Sequence, residues 1–212
     1  MFRRRGKPSV HERIFSRIYS QREWGNTESA SGPGSGLART EAIRNALGDL
    51  LQGLDVDRLL DAGCGDFYWL CVAELPVREY VGVDVVPELI DEVSDRYAGP
   101  RRAFLRADIT CDPLPPTDIV LCREVLTHFP DEDVLAAVSN MKRTRAQWLL
   151  TTTFFARPRN EEIKLGAWRP LNLEAPPFDF PPPLRLLEDI PLVDRELFLD
   201  KRLALWDLPT LL

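Results

Sequence analysis

Residues 59–67 read Leu59-Leu60-Asp61-Ala62-Gly63-Cys64-Gly65-Asp66-Phe67. An apolar run stops at an acid, two glycines follow one residue apart, and a second acid stands where a helix is due to start. Glycine adopts backbone angles closed to other residues and carries no Cβ to hold a ligand away. A short apolar strand emptying into such a turn is a usual ligand site in doubly wound sheets, where ligands sit at the carboxyl ends of strands.

The flanking sequence supports that setting. Arg58–Ala62 is the first strand, and Tyr68–Leu75 is predicted as the helix after it. Tyr80–Val85 is a β-branched strand. Pro87–Tyr97 is a helix with Pro87 in its first turn and Leu89, Ile90, Val93 and Tyr97 facing inward. Phe104–Ala107 and Asp118–Cys122 are the third and fourth strands. Asp131–Arg143 is a helix with Val134, Leu135, Val138 and Met141 on its apolar face, and Trp148–Phe154 is the fifth strand. Strands alternating with helices imply βαβ units and a parallel sheet covered on both faces.

Upstream, residues 10–24 carry Val10, Ile14, Phe15, Ile18 and Tyr19 at helical spacing. Residues 25–36, rich in glycine and serine, read as a loop, and 38–53 as a second helix. After residue 155 the alternation ends. Six prolines within 170–184 predict an ordered or semi-rigid surface loop. Two apolar runs around Asp200-Lys201, within 196–208, predict a terminal hairpin.

A chain of 212 residues, 44% hydrophobic and 28% charged, fits one medium globular domain with a short appendage. The net charge is −6, but residues 1–22 alone carry +6, so the body is strongly acidic. A basic amino terminus steers toward nucleic acid or an anionic surface, or is simply a solvated tail. No apolar segment follows the arginines as in a signal peptide, and no run is long enough to span a membrane. Cys64, Cys71, Cys111 and Cys122 form no C-x-x-C pair, and His11 and His128 are the only histidines. No metal site is expected, and reduced thiols in a cytoplasmic protein are.

The ligand is narrowed by charge. Asp84 ends the second strand, 19 residues after Gly65, where an acid accepts hydrogen bonds from both ribose hydroxyls. That fits a nicotinamide dinucleotide or S-adenosylmethionine. A dinucleotide needs a third glycine where Tyr68 stands, and Asp66 would face its pyrophosphate. Two unit charges about 4 Å apart repel by about 4 kcal/mol at an effective dielectric near 20. The ammonium and sulfonium of S-adenosylmethionine suit an acidic turn.

These residues, with Val81-Gly82-Val83-Asp84-Val85-Val86, Arg106-Ala107-Asp108-Ile109-Thr110 and Asp118–Phe129, resemble the first four motifs of class I S-adenosylmethionine-dependent methyltransferases, in order and spacing. The resemblance covers about residues 57–155. It implies a Rossmann-like, seven-stranded, mostly parallel sheet with helices on both faces and an antiparallel carboxyl-terminal hairpin. It implies that Asp61, Ala62, Gly63, Cys64, Gly65 and Asp66 lie by the methionine part of S-adenosylmethionine. Asp84 and Val85 would hold the ribose, and Asp108 with Ile109 would flank the adenine. Phe67 departs from the family, which often has a small residue there.

Methyl transfer requires alignment of the acceptor and exclusion of water, and a base only where the acceptor arrives protonated. His128 and Glu124, just after the fourth strand, are the catalytic candidates. Arg123 either pairs with an anionic group of a ligand or bridges to a neighbouring acid. Trp24 either closes over the cofactor as part of a lid or packs the first helix. Trp168, Arg169, Phe178 and Phe180 either line an acceptor pocket or anchor the proline loop. The expected organisation is a basic tail and helix over 1–24, then one domain over 25–212. That domain divides into a lid and helix (25–56), a cofactor core (57–155), and a substrate loop with the terminal hairpin (156–212). The expected acceptor is a small or sugar-like molecule, methylated at oxygen. The alternatives are an enzyme acting on RNA or protein, and a non-catalytic cofactor-binding module. No signature of base-amine methylation is present, so nucleic acid is possible but not favoured.

Overall fold

The computed structural model describes residues 7–24, 28–190 and 195–211. Its strands are β1 (Arg58–Ala62), β2 (Glu79–Asp84), β3 (Arg102–Arg106), β4 (Ile119–Cys122), β5 (Trp148–Phe154), β6 (Arg185–Glu188) and β7 (Lys201–Asp207). Its helices are α1 (Val10–Gln21), α2 (Leu37–Leu54), α3 (Pro87–Tyr97) and α4 (Asp131–Lys142). The strands form one seven-stranded sheet in the order β3-β2-β1-β4-β5-β7-β6. Neighbours among β1–β5 are parallel, and β7 runs antiparallel to both β5 and β6. This is the Rossmann-like, seven-stranded, mostly parallel sheet with antiparallel carboxyl-terminal strands expected from the sequence. The strand order reverses between β1 and β4, which opens a crevice at their carboxyl ends.

Alternation along each strand divides the apolar residues between two cores. On one face Leu60, Val83, Val120 and Leu149 pack with Phe15 and Ile18 of α1 and Val134, Val138 and Met141 of α4. On the other, Leu59, Ile119, Leu121 and Leu150 pack with Ile43, Leu47 and Leu51 of α2. Each such fully buried aliphatic side chain contributes roughly 1.5–3 kcal/mol. α1 is capped by Ser9, whose Oγ accepts from the Glu12 N–H at 3.1 Å, and it ends at Arg22 in the left-handed region.

Three local expectations are corrected. Residues 68–75 form turns, not a helix, so Cys71 lies in a turn. Phe67 adopts φ +55, and the single helical bond from Cys71 N to Phe67 O gives way to a tighter Ala73 N–Leu70 O bond before Pro76 stops the run. The terminal hairpin is not folded about Asp200-Lys201. β7 pairs instead with β6, upstream of it, while Arg195–Phe198 is a 3₁₀ turn. The proline-rich segment is not a surface loop throughout: Leu171, Leu173, Phe178 and Phe180 are buried, with the Phe180 ring edge-on to Trp206 at 5.5 Å. The arginines at positions 3–5 and residues 25–27 of the predicted lid lie outside the described residues.

Candidate active site

The turn after β1 is pinned to the end of β2, because Gly63 N and Cys64 N both donate to Val83 O, at 2.8 and 2.9 Å. Gly63 and Gly65 have φ +85 and +55. A Cβ on Gly63 would lie 2.4 Å from Val125 Cγ2, and one on Gly65 would lie 2.0 Å from Ser31 Oγ. Both glycines therefore answer to backbone angle and to space. Beneath the turn, the buried Phe67 ring packs on Tyr80, Tyr97 and Phe104 at 4.9–5.3 Å. A bulky anchor thus occupies the place where the family often has a small residue.

Three strand ends carry carboxylates into one cavity. Asp61 is buried and accepts from the Tyr80 hydroxyl at 2.7 Å. Burial pushes its carboxyl up to about 7, with Asp84 adding to the rise and the Tyr80 bond and Arg123 opposing it. Asp84 accepts from Gly65 N at 3.2 Å and Val86 N at 3.1 Å, one on each oxygen. Burial raises its carboxyl too. Asp108 differs: burial would raise it, but hydrogen bonds from His11 and Thr110 outweigh that and hold it below the usual carboxylate range. A cavity whose buried acids are pushed upward favours a cationic ligand and disfavours a diphosphate. The two Asp84 oxygens each keep acceptor capacity for a hydroxyl.

α1 forms one wall, through His11, Phe15 and Tyr19. His11 bridges two acids, with Nδ1 3.3 Å from Asp108 and Nε2 3.1 Å from Asp133, and its ring lies 5.3 Å from Phe129. Burial works against its protonation, but the two carboxylates prevail and raise it above the ordinary histidine value. The segment 28–36 forms another wall, with Ala30, Ser31 and Ser35. Asp66 holds it: one carboxylate takes hydrogen bonds from Ser29 Oγ, Ala30 N and Ser31 Oγ, at 2.7–3.0 Å.

A second cavity meets the first along Trp24, Ser31, Ser35, Arg123, Glu124 and His128. Trp168, Phe198, Arg39, Asp189 and Lys201 are on its far side. His128 Nδ1 lies 2.9 Å from the Ala167 carbonyl, so that nitrogen carries the proton and Nε2 keeps the lone pair. Burial lowers His128 below its ordinary value, against the Ala167 carbonyl and Glu124. Its ring lies 4.9 Å from Trp24. The turn is strapped from outside, since Gly166 N donates to His128 O at 2.9 Å and Arg169 N to Thr127 O at 3.0 Å.

Of the residues expected from the sequence, Trp24, Asp61, Gly63, Cys64, Gly65, Asp84, Val85, Asp108, Ile109, Arg123, Glu124 and His128 line the first cavity. Ala62 is buried within the sheet, and Asp66 faces the 28–36 segment; neither lines it. Arg123 is committed to Asp189 through two bonds of 3.0 and 2.8 Å. Of the proline-loop candidates, Trp168 lines the second cavity, whereas Phe178 and Phe180 are buried in the core and Arg169 pairs with Asp131 at 2.6 Å. His11, Asp189 and Lys201 were missed. The capping signature Ser9-x-x-Glu12 marked the helix that carries His11. Nothing local marked Asp189 or Lys201. Among the described residues, no group of three acids, histidines or cysteines is placed to hold a metal, and no helix is long and apolar enough to cross a membrane.

Residues 59–147 match a family model described as a methyltransferase domain. Among curated protein sequences none matches. The N-methyltransferase NodS of Bradyrhizobium japonicum WM9, solved with S-adenosyl-L-homocysteine, is 18% identical with a TM-score of 0.52, over 66% of this chain and 73% of that one. Magnesium protoporphyrin IX methyltransferase (ChlM) of Synechocystis PCC 6803, with S-adenosylmethionine bound, is 15% identical with a TM-score of 0.50, over 74% and 83%. The methyltransferase domain of bacterial CtHen1 is 17% identical with a TM-score of 0.48 over 54% of this chain, which spans 66% of its length, just under two thirds. At these identities the likeness concerns the fold.

Proposed function

We propose that the chain, whose residues 59–147 match a methyltransferase-domain model, is a class I S-adenosylmethionine-dependent methyltransferase that methylates a small-molecule or sugar-like acceptor at oxygen. The observation that carries this reading is the shared wall of the two cavities: Trp24, Arg123, Glu124 and His128 face both. The first cavity would take the cofactor, which when bound supplies the activated methyl group. Asp84 would hold the ribose hydroxyls, the turn at Asp61–Gly65 the methionine part, and Asp108 with Ile109 the adenine side. Trp24 and the segment 28–36 would keep water out. The second cavity would take the acceptor, between the rings of Trp168 and Phe198 and the polar groups of Arg39, Asp189 and Lys201. A concavity that sets two aromatic rings beside a few polar groups suits a small molecule. His128 Nε2, with its proton-bearing partner nitrogen held by Ala167, would take the hydroxyl proton as the methyl group arrives.

The test is transfer of labelled methyl from S-adenosylmethionine into a cell extract, followed by separation into small molecules, RNA and protein. Label is expected in the small-molecule fraction, and His128→Asn is expected to lower it by about 10²-fold or more. Label in RNA or protein overturns the acceptor class. No label in any fraction, with intact cofactor binding, points to a binding module.

A further inference from the structure

The reaction scheme gives one buried cation of the second cavity no part in the proton transfer. Lys201 is the first residue of β7, at a place the sequence marks as a turn, yet it is only 4% exposed. Its Nζ pairs with Glu124 Oε1 and lies 3.1 Å from Asp189 Oδ2. Asp189 in turn receives Arg123 at 3.0 and 2.8 Å, and Arg123 donates to the Gly34 carbonyl at 3.1 Å and covers the Trp69 ring at 4.9 Å. Arg123, Asp189, Lys201 and Glu124 thus alternate in sign from β4 across to β7. Three of the four are at least nine-tenths buried, and Glu124 is the end of the row beside His128.

Backbone geometry sets Glu124 in place as well. It adopts φ +60, unusual for a residue with a side chain, and its N–H donates to Thr152 Oγ1 at 2.9 Å. A carboxylate held so firmly beside a proton acceptor needs a counter-charge, or it would favour the protonated ring.

We propose that Lys201 is a positioning residue for this site: anchored on Asp189, it holds and offsets the Glu124 carboxylate, and so sets the charge His128 meets where the two cavities join. The inference rests on the reading of His128 as the base. The charged groups that face the junction with His128 are Arg123 and Glu124 after β4, Asp189 after β6, Lys201 on β7 and Arg39 on α2. From the strap at 164–169 His128 meets the Ala167 carbonyl, and from the segment after α1 it meets the Trp24 ring. Within this set Arg123 gives two hydrogen bonds to Asp189 and meets Glu124 only through space, whereas Lys201 pairs with Glu124 directly. Burial lowers the ring's affinity for a proton and Glu124 raises it. Lys201 keeps the second influence small, so His128 stays neutral and able to accept a proton near neutral pH.

The chain has only two histidines, so their imidazole resonances can be followed by NMR as pH is varied, with His128→Asn to assign them. Lys201→Gln is expected to raise the His128 midpoint by about 0.5–1 pH unit, and Lys201→Arg to restore it. Glu124→Gln, which leaves Lys201 paired with Asp189, is expected to lower the midpoint. In that background, Lys201→Gln is expected to move it by less than half as much. An unchanged midpoint in Lys201→Gln, with only the melting temperature altered, overturns the proposal. So does an unchanged midpoint in Glu124→Gln, which serves if the lysine variant does not fold. A full-sized shift in the double variant overturns action through Glu124. The titration needs no turnover, so it separates this inference from the base assignment. If the midpoints move as expected while the acid limb of the pH–rate profile stays put, Lys201 stands and His128 falls as base.

Discussion

Asp66→Ala tests whether the turn after β1 contacts the ligand directly or acts through the segment that covers it. The Asp66 carboxylate joins the first crossover to residues 29–31 by hydrogen bonds from Ser29 Oγ, Ala30 N and Ser31 Oγ. Hydrogen bonds to a charged group are worth about 1.5–3 kcal/mol each, so three set a ceiling of roughly 4.5–9 kcal/mol. Water replaces much of that at a half-buried site. Freeing about three residues returns roughly 1–2 kcal/mol of backbone entropy each. The net loss expected is about 2 kcal/mol, or about thirtyfold in the population of the closed segment. Affinity for S-adenosyl-L-homocysteine, measured by calorimetry, should fall by up to that factor. Amide hydrogen exchange at Ala30 and Ser31 should accelerate alongside. Asp66→Asn, which keeps one oxygen acceptor, should lie between. If affinity falls with exchange unchanged, Asp66 meets the ligand itself and the latch reasoning fails. If exchange accelerates with affinity unchanged, closure of the segment has no part in binding.

Asp84→Ala should weaken cofactor binding by roughly 1.5–3 kcal/mol through lost charged hydrogen bonds; an unchanged dissociation constant contradicts the ribose assignment. Gly63→Ala puts a Cβ 2.4 Å from Val125 Cγ2 at φ +85, so stability should fall by about 1–3 kcal/mol in denaturant melts. A melt equal to wild type would mean the turn relaxes freely. His11 is raised in the fold, so its stabilising contribution is full below its ordinary value near 6.5 and is lost as pH climbs through the folded value. His11→Gln should therefore flatten the fall in stability that sets in as pH climbs past about 6.5. Asp108 is depressed, so its contribution is full above the ordinary carboxyl range near 3.9 and is lost as pH falls through the folded value; Asp108→Asn should blunt acid unfolding.

The parallel half of the fold was legible because its signals are local. β1, α3 and β5 lie where the apolar runs and Pro87 put them, since strand and helix periods are properties of adjacent residues. The acids at the ends of β1, β2 and β3 were legible for the same reason: a strand end followed by a turn fixes which residues reach the crevice. What failed depended on distant partners. Residues 68–75 have helical composition, but Phe67 must enter the left-handed region to place its ring under the turn. Asp66 was read as facing the ligand because nothing in its neighbourhood announces Ser29 and Ser31, some 35 residues upstream. Lys201 follows an aspartate and precedes an arginine, the pattern of a solvated turn. Its burial is decided by Asp189 and Glu124, which come from two other elements.

The threading of the last strand has a consequence for biogenesis. β7 follows the other six described strands in the chain, yet it lies inside the sheet, between β5 and β6. A nascent chain that has emerged only to residue 195 holds all five parallel strands and the acids of the first cavity. In it β6 has no neighbour to pair with, and Asp189 lacks one of its two cations. Long-range pairing of this kind is slow and leaves strand edges open meanwhile. The part of the chain that lines the first cavity thus precedes the strand that completes the second, and it is the addition of β7 that joins the two.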